Sequence, residues 1–259
     1  MIKNIFKALS AYSQSLSLIS QLKLWKYFLV PMGISLFVAL SVFLSVYKLA
    51  DNLGRWMAGW WPWEAGQETV TSIATWLGGF IILVLGFILY KHIVMTLSAP
   101  FMSPVSEKIE RHLFPDLYED IKQRDTTNLQ QLIRSLRLSV RNIIYELIIT
   151  IPLLVLSIIP GINLVTGILI FMVQSYYSGF GTMDYTLERY FSYRESVQFI
   201  KQSRGYAIGN GMVFTALAFI PVIGIILVLP ISVTAASKTT LELLKERKML
   251  LMNSKLINP

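Results

Sequence analysis

Residues 27–47 and residues 69–90 contain no Asp, Glu, Lys or Arg, and each run is closed by charge at both ends: Lys26 and Lys48 on the first, Glu68 and Lys91 on the second. About 20 helical residues cross the ~30 Å hydrocarbon layer of a bilayer, where every backbone N–H and C=O must be satisfied within the chain. Both runs therefore read as transmembrane helices. Pro31 falls in the first turn of the first span, where its missing N–H costs no hydrogen bond. A soluble alternative fails on composition: 54% of the 259 residues are hydrophobic and 15% charged, against about 25% charged in ordinary soluble domains. Mean hydropathy is +0.57, and no Gly/Ser-rich or Pro-rich linker divides the chain, so residues 1–259 read as one integral membrane domain.

Charge placement orients the spans. Lys3, Lys7, Lys23 and Lys26 precede the first with no acid among them, whereas the loop after it sets Lys48 and Arg55 against Asp51, Glu64 and Glu68. Basic loops stay on the cytoplasmic side, which puts the N-terminus inside and that loop outside. The loop holds Trp56, Trp60, Trp61 and Trp63, four of the chain's six tryptophans, a composition suited to the headgroup level or to a packed aromatic cluster. Residues 91–146 return inside as a cytoplasmic amphipathic region with eight Lys/Arg, and residues 184–204 and the tail 238–259 are basic as well.

Two further charge-free runs, residues 147–183 and 205–237, are too long for one span and short for two. Pro160-Gly161, with Asn163 beyond it, breaks the first, and Pro221 with Gly224 breaks the second; proline removes a donor and glycine permits a reversal. The segment 147–159 before the first break has 13 residues, about 20 Å of helix, too short to cross. With basic segments on both flanks, each run must begin and end on one side. The expected fold is an all-α membrane protein with two full transmembrane helices, two re-entrant, hemi-penetrating helical hairpins and amphipathic cytoplasmic helices. Irregular backbone at membrane depth needs protein or a water-filled cavity around it, so the tips point to an oligomer or a pore, and paired broken segments to a transport site.

Smaller patterns complete the picture. Ile2, Ile5, Phe6, Leu9, Leu16 and Ile19 recur at helical spacing and predict a short N-terminal helix on the membrane surface. Thr127 and Gln130 have the spacing of a capping box. In the helix they open, Leu129, Leu132, Ile133, Leu136, Val140, Ile143 and Ile144 share one face, and Arg134, Arg137 and Arg141 share another suited to lipid phosphates.

Catalytic signals are missing. There are no cysteines, no Walker A loop and no nucleophile elbow, and His92 and His112 have no metal-ligand spacing. The chain is not expected to be an enzyme, to hold a cofactor or metal, or to bind nucleic acid. The four charge-free runs also lack any carboxylate for an intramembrane proton relay.

Ala99-Pro100-Phe101 followed by Glu107, then Ile158-Ile159-Pro160-Gly161-Ile162, then Phe219-Ile220-Pro221 and Leu229-Pro230, lie in an order and spacing that resembles the CysZ family of bacterial sulfate permeases. The resemblance implies an α-helical inner-membrane protein with two long transmembrane helices and two partly inserted helical hairpins, oligomeric assembly, and sulfate uptake for cysteine biosynthesis; the charge placement above puts both termini in the cytoplasm. It implies an oxyanion site at a Gly-apolar-Arg motif before the first span, which falls here on Lys23-Leu24-Trp25-Lys26. The glycine and first arginine are absent, and Lys26 alone keeps a positive charge at a matching basic position. Glu107 and Glu110 match acidic family positions, with Arg111 beside them; a charge network at a subunit contact and a plain solvated helix face are both open readings.

The anion-binding candidates are thus Lys23 and Lys26, joined by the helix starts after Pro160 and Pro221 and, deeper, by the polar Asn163, Gln174 and Asn210. Each has a plainer reading: the lysines set orientation, and the amides bond neighbouring helices. The functional expectation is a downhill, nucleotide-independent path for sulfate or a similar oxyanion. The alternative is a non-transporting membrane scaffold or membrane-shaping oligomer.

Overall fold

The computed structural model describes residues 1–59, 67–120, 124, 126–157, 159, 161–220 and 223–257. Among them every regular element is helical: α1 (Ile2–Ala11), α2 (Ser15–Gln21), α3 (Trp25–Ala58), α4 (Gln67–Leu113), α5 (Pro115–Asp120), α6 (Asn128–Leu156), α7 (Asn163–Leu187), α8 (Tyr193–Gln202), α9 (Arg204–Ala218) and α10 (Ile223–Ile257). Trp60, Trp61 and Trp63 of the aromatic loop, and the break prolines Pro160 and Pro221, lie outside the described residues.

Among the described residues five stretches are long and apolar enough to cross a membrane: Trp25–Ser45, Gly78–Leu113, Asn128–Leu156, Asn163–Leu187 and Ile226–Lys248. The fold is that of an all-α membrane protein. Large apolar side chains of α3 (Phe37, Leu40, Phe43, Leu44) and of α6 (Leu129, Ile133, Leu136, Val140, Ile144) are exposed, as hydrocarbon-facing surfaces require. The last helix is central instead: Val228, Leu229, Val233, Ala236 and Leu241 of α10 are fully buried.

The helices run further than the charge pattern indicates: α3 continues past Lys48 to Ala58 and α10 past Lys238 to Ile257, and two others do the same. α4 does not stop near Tyr90 but continues through Pro100 and Pro104 to Leu113, 47 residues in all; a helix in a protein-packed membrane setting tolerates such prolines because neighbouring groups satisfy the freed backbone. The amphipathic run from residue 128 and the apolar segment after Glu146 form the single 29-residue α6, opened by the capping box of Thr127 and Gln130 and carrying Pro152 inside it. The 13-residue arm expected from the sequence is therefore corrected to a helix about 44 Å long. A change from charged to apolar composition alters what a helix faces; it does not end it.

The chain turns from α6 into α7 through Gly161, whose φ of +87° is the left-handed conformation that favours glycine. The two arms then run antiparallel, with Arg134 meeting Asp184 far from the bend and Glu146 and Gln174 both accepting from Lys91 nearer to it. In the second hairpin Asn210 meets Thr239 and, farther from the bend, Ser203 meets Arg247. Its first arm, α9, has 15 residues, about 22 Å, less than the hydrocarbon thickness. Gly224 falls in the first turn of α10, not in the connection before it.

The hairpins are locked together at α7 and α9. A Cβ on Gly179 would lie 1.8 Å from the Ala207 carbonyl oxygen, and one on Gly211 would lie 1.6 Å from that of Ser175. Ser175-xxx-Gly179 and Ala207-xxx-Gly211 are small-residue pairs one turn apart, the pattern by which membrane helices bring their backbones together. α1 packs on α9 through buried Ala8, leaving Ile2 and Phe6 exposed.

Candidate functional site

The anion-binding candidates Lys23 and Lys26 sit where α2 turns into α3. Lys23 is exposed and holds φ +51°, a conformation costly for a side-chain-bearing residue and suited to the glycine that begins the family motif. Buried Leu24 anchors the turn, and its N–H donates to the Ile19 carbonyl at 2.9 Å. Lys26, in the first turn of α3, is exposed with its Nζ 5.2 Å from the centre of the Tyr27 ring. Lys108, from α4, lies 5.3 Å from the same ring. The first turn of α3 contains no acid. Two ammonium groups and the positive end of a long helix thus gather around one aromatic ring, a field that attracts a small anion.

Beside it, Glu107, Arg111 and Tyr118 form a half-exposed trio in which Arg111 donates to both partners. Glu110 does not share that solvated face: it is fully buried and paired with Arg189 at 2.6 Å. Arg189 also donates to Ser106 at 3.0 Å, Ser106 bonds Thr186 at 2.8 Å, and Thr186 donates to Ser237 at 3.1 Å. This chain crosses from α4 through α7 to α10. Its carboxylate and guanidinium take each other as partners, the condition for burying charge.

Of the three arginines on α6, Arg134 turns inward rather than toward lipid phosphates, whereas Arg137 is exposed and Arg141 half-buried. Arg134 holds Asp184 with two bonds of 2.9 and 3.3 Å, and adds Ser196 at 2.7 Å and the Phe191 carbonyl at 2.8 Å. Arg137 lies 4.5 Å over the Tyr193 ring. The apolar face, more weakly bonded to protein, takes the outside. Next to Arg134, burial and the neighbouring Asp184 carboxylate raise the Glu188 carboxyl to about 8.

Deeper, Lys91 of α4 is bonded to Glu146 of α6 and to the side-chain oxygen of Gln174 of α7 at 2.6 Å, and His92 reaches the other Glu146 oxygen at 2.9 Å. Lys91 and Glu146 are both fully buried. Of the polar candidates, Gln174 joins this cluster, Asn210 donates to Thr239 at 2.9 Å, and Asn163 is exposed at the start of α7. Sequence reasoning missed the Lys91–Glu146 pair although a signal existed: each abuts a charge-free run, and both were read as the points where a helix leaves the membrane. Among the described residues no three His, Asp or Glu converge as a metal site requires.

Long apolar helices packed around paired buried charges define a multi-pass membrane protein. Residues 11–228 match the family described as Sulfate transporter CysZ/Etoposide-induced protein 2.4, and the chain belongs to that family. It is similar to the sulfate transporter CysZ of Pseudomonas paraeruginosa (strain DSM 24068 / PA7), at 25% identity over 218 residues, covering 79% of this chain and 86% of that protein. It is similar also to the sulfate transporter CysZ of Pseudomonas aeruginosa strains LESB58 and PAO1, at 24% identity over 217 residues with the same coverage.

Proposed function

We propose that this protein is a permease for sulfate or a similar small oxyanion, passing it into the cytoplasm down its gradient without nucleotide hydrolysis. The observation that carries this reading is the placement of Lys26 and Lys108 around the Tyr27 ring at the acid-free start of α3, on the segment where the family motif falls. The relatives named as sulfate transporters support the choice of anion. In this reading the chain is a single membrane domain and assembles as a homo-oligomer in the bacterial inner membrane with both termini cytoplasmic. Lys26 supplies a point charge where an arginine fork would chelate.

The test is entry of labelled sulfate into proteoliposomes. Lys26→Ala lowers the flux and Lys26→Arg preserves or raises it, while Lys3→Ala, on exposed α1, leaves it unchanged. Lys7 is no control, because it pairs with Glu246 and holds α1 to α10. Flux falls with ionic strength, since attraction at a solvated mouth is screened over about 8 Å at physiological salt. Failure of sulfate, thiosulfate and phosphate alike to enter would leave the scaffold reading in its place.

A further inference from the structure

A groove of about 490 Å³ opens between α6, α7, the end of α8 and the start of α9, with Met1 at its edge. Its mouth holds Arg141, Lys201 and Arg204. Arg134 and Arg189 each have a carboxylate partner, whereas none of these three cations makes an ion pair with any described residue, and no Asp or Glu lines the groove.

The groove changes character along its length. On α6 the lining residues are Arg141, Tyr145 and Ile149, spaced one turn apart on one face. On the antiparallel α7 they are Tyr176 and Tyr177 opposite the mouth, then Val173, then Leu169. Cations thus give way to tyrosines and tyrosines to aliphatic side chains over eight residues of helix, about 12 Å. Ile149 and Leu169, at the apolar end, are each more than two-fifths exposed on the outer surface of the hairpin.

That order is the order of a phospholipid: anionic phosphate, glycerol and ester interface, acyl chain. Tyrosine favours the interface because one end of its ring is apolar and the other wet, and unpaired Lys and Arg at that level attract anionic headgroups. A free phosphate would use the mouth and leave the aliphatic end unfilled. We propose that this groove is a specific site for one anionic phospholipid of the surrounding bilayer, its phosphate held by Arg141, Lys201 and Arg204 and one acyl chain laid against Ile149 and Leu169. The site joins both hairpins, because Arg141 belongs to the first and Arg204 to the second.

Native mass spectrometry of the detergent-purified full chain tests this with dioleoyl phosphatidylglycerol, dioleoyl phosphatidylcholine and inorganic phosphate. One phosphatidylglycerol stays bound under collision energies that strip phosphatidylcholine, and a large excess of inorganic phosphate does not displace it. Lys201→Gln, an exposed change that leaves packing intact, weakens phosphatidylglycerol binding by about fivefold, and Arg204→Gln added to it by a similar factor again. Leu169→Trp, which fills the apolar end without touching charge, weakens it as well. Equal retention of the two lipids, displacement by phosphate alone, or full binding by the Lys201→Gln/Arg204→Gln variant would each overturn the proposal.

Discussion

Lys91 and Glu146, 55 positions apart and on different helices, form an ion pair with no exposure to solvent on either side chain. Gln174 and His92 complete the bonding of both, so α4, α6 and α7 meet at a buried polar joint. The pair ties the first hairpin to the long transmembrane helix at a depth where an unpartnered charge would be expelled.

Breaking this pair from one side is the costly change. Lys91→Met leaves Glu146 buried with His92 alone, and the expected loss is about 3–5 kcal/mol, most of it recovered in Lys91→Met/Glu146→Leu, which removes both charges. Reversible unfolding of the detergent-solubilised variants measures the difference. A single variant as stable as the parent would mean that Glu146 finds another partner.

Contact between the two hairpins depends on glycine at positions 179 and 211. Gly211→Leu drives a side chain into the Ser175 carbonyl, and a loss of about 3 kcal/mol or more, with separation of α7 from α9, is expected. Gly33→Ala, where an added Cβ meets nothing within 4 Å, leaves stability unchanged or slightly raised. Comparison of the two melting curves decides whether the effect belongs to the interface or to glycine in general.

Glu188 makes stability depend on pH in a defined direction. Its folded carboxyl keeps a proton up to about 8, while an unfolded glutamate releases it near ~4.3. Between those values the folded chain binds more protons than the unfolded one, so stability falls as pH rises, by at most about 1.4 kcal/mol per pH unit from this group. Glu188→Gln removes that contribution, and its melting temperature is expected to decline less between about pH 5.5 and 8. An identical slope in both proteins would show that Glu188 is ionised throughout.

The membrane arrangement is open to direct labelling because the chain has no cysteine of its own. Arg194→Cys, exposed on α8, and Gly59→Cys, exposed just past the end of α3, are expected to react with an impermeant thiol reagent from opposite faces of the membrane. Reaction of both from the same face would mean that α3, or the first hairpin, ends on the other side from where its flanking charges place it.

The helices themselves were legible in the residues. Charge-free runs of 21 and 22 positions between charged borders can satisfy their backbone in hydrocarbon only as helices, Gly161 marks a reversal that no side-chain-bearing residue makes cheaply, and Thr127 with Gln130 announces where α6 begins. The proline and glycine breaks likewise mark where α6 gives way to α7 and α9 to α10. What periodicity cannot supply is the neighbour: it assigns Arg134 to a face of α6, but whether that face meets lipid or Asp184 depends on a helix 50 positions away. The same limit hid Glu110 with Arg189 and Lys91 with Glu146. Read alone, a charge beside an apolar run must lie where water reaches it, because burying it unpaired costs several kcal/mol. Only when the packed bundle brings an opposite charge from another helix does the interior become the better place, and so the tertiary structure, not the local pattern, decided where these ions lie.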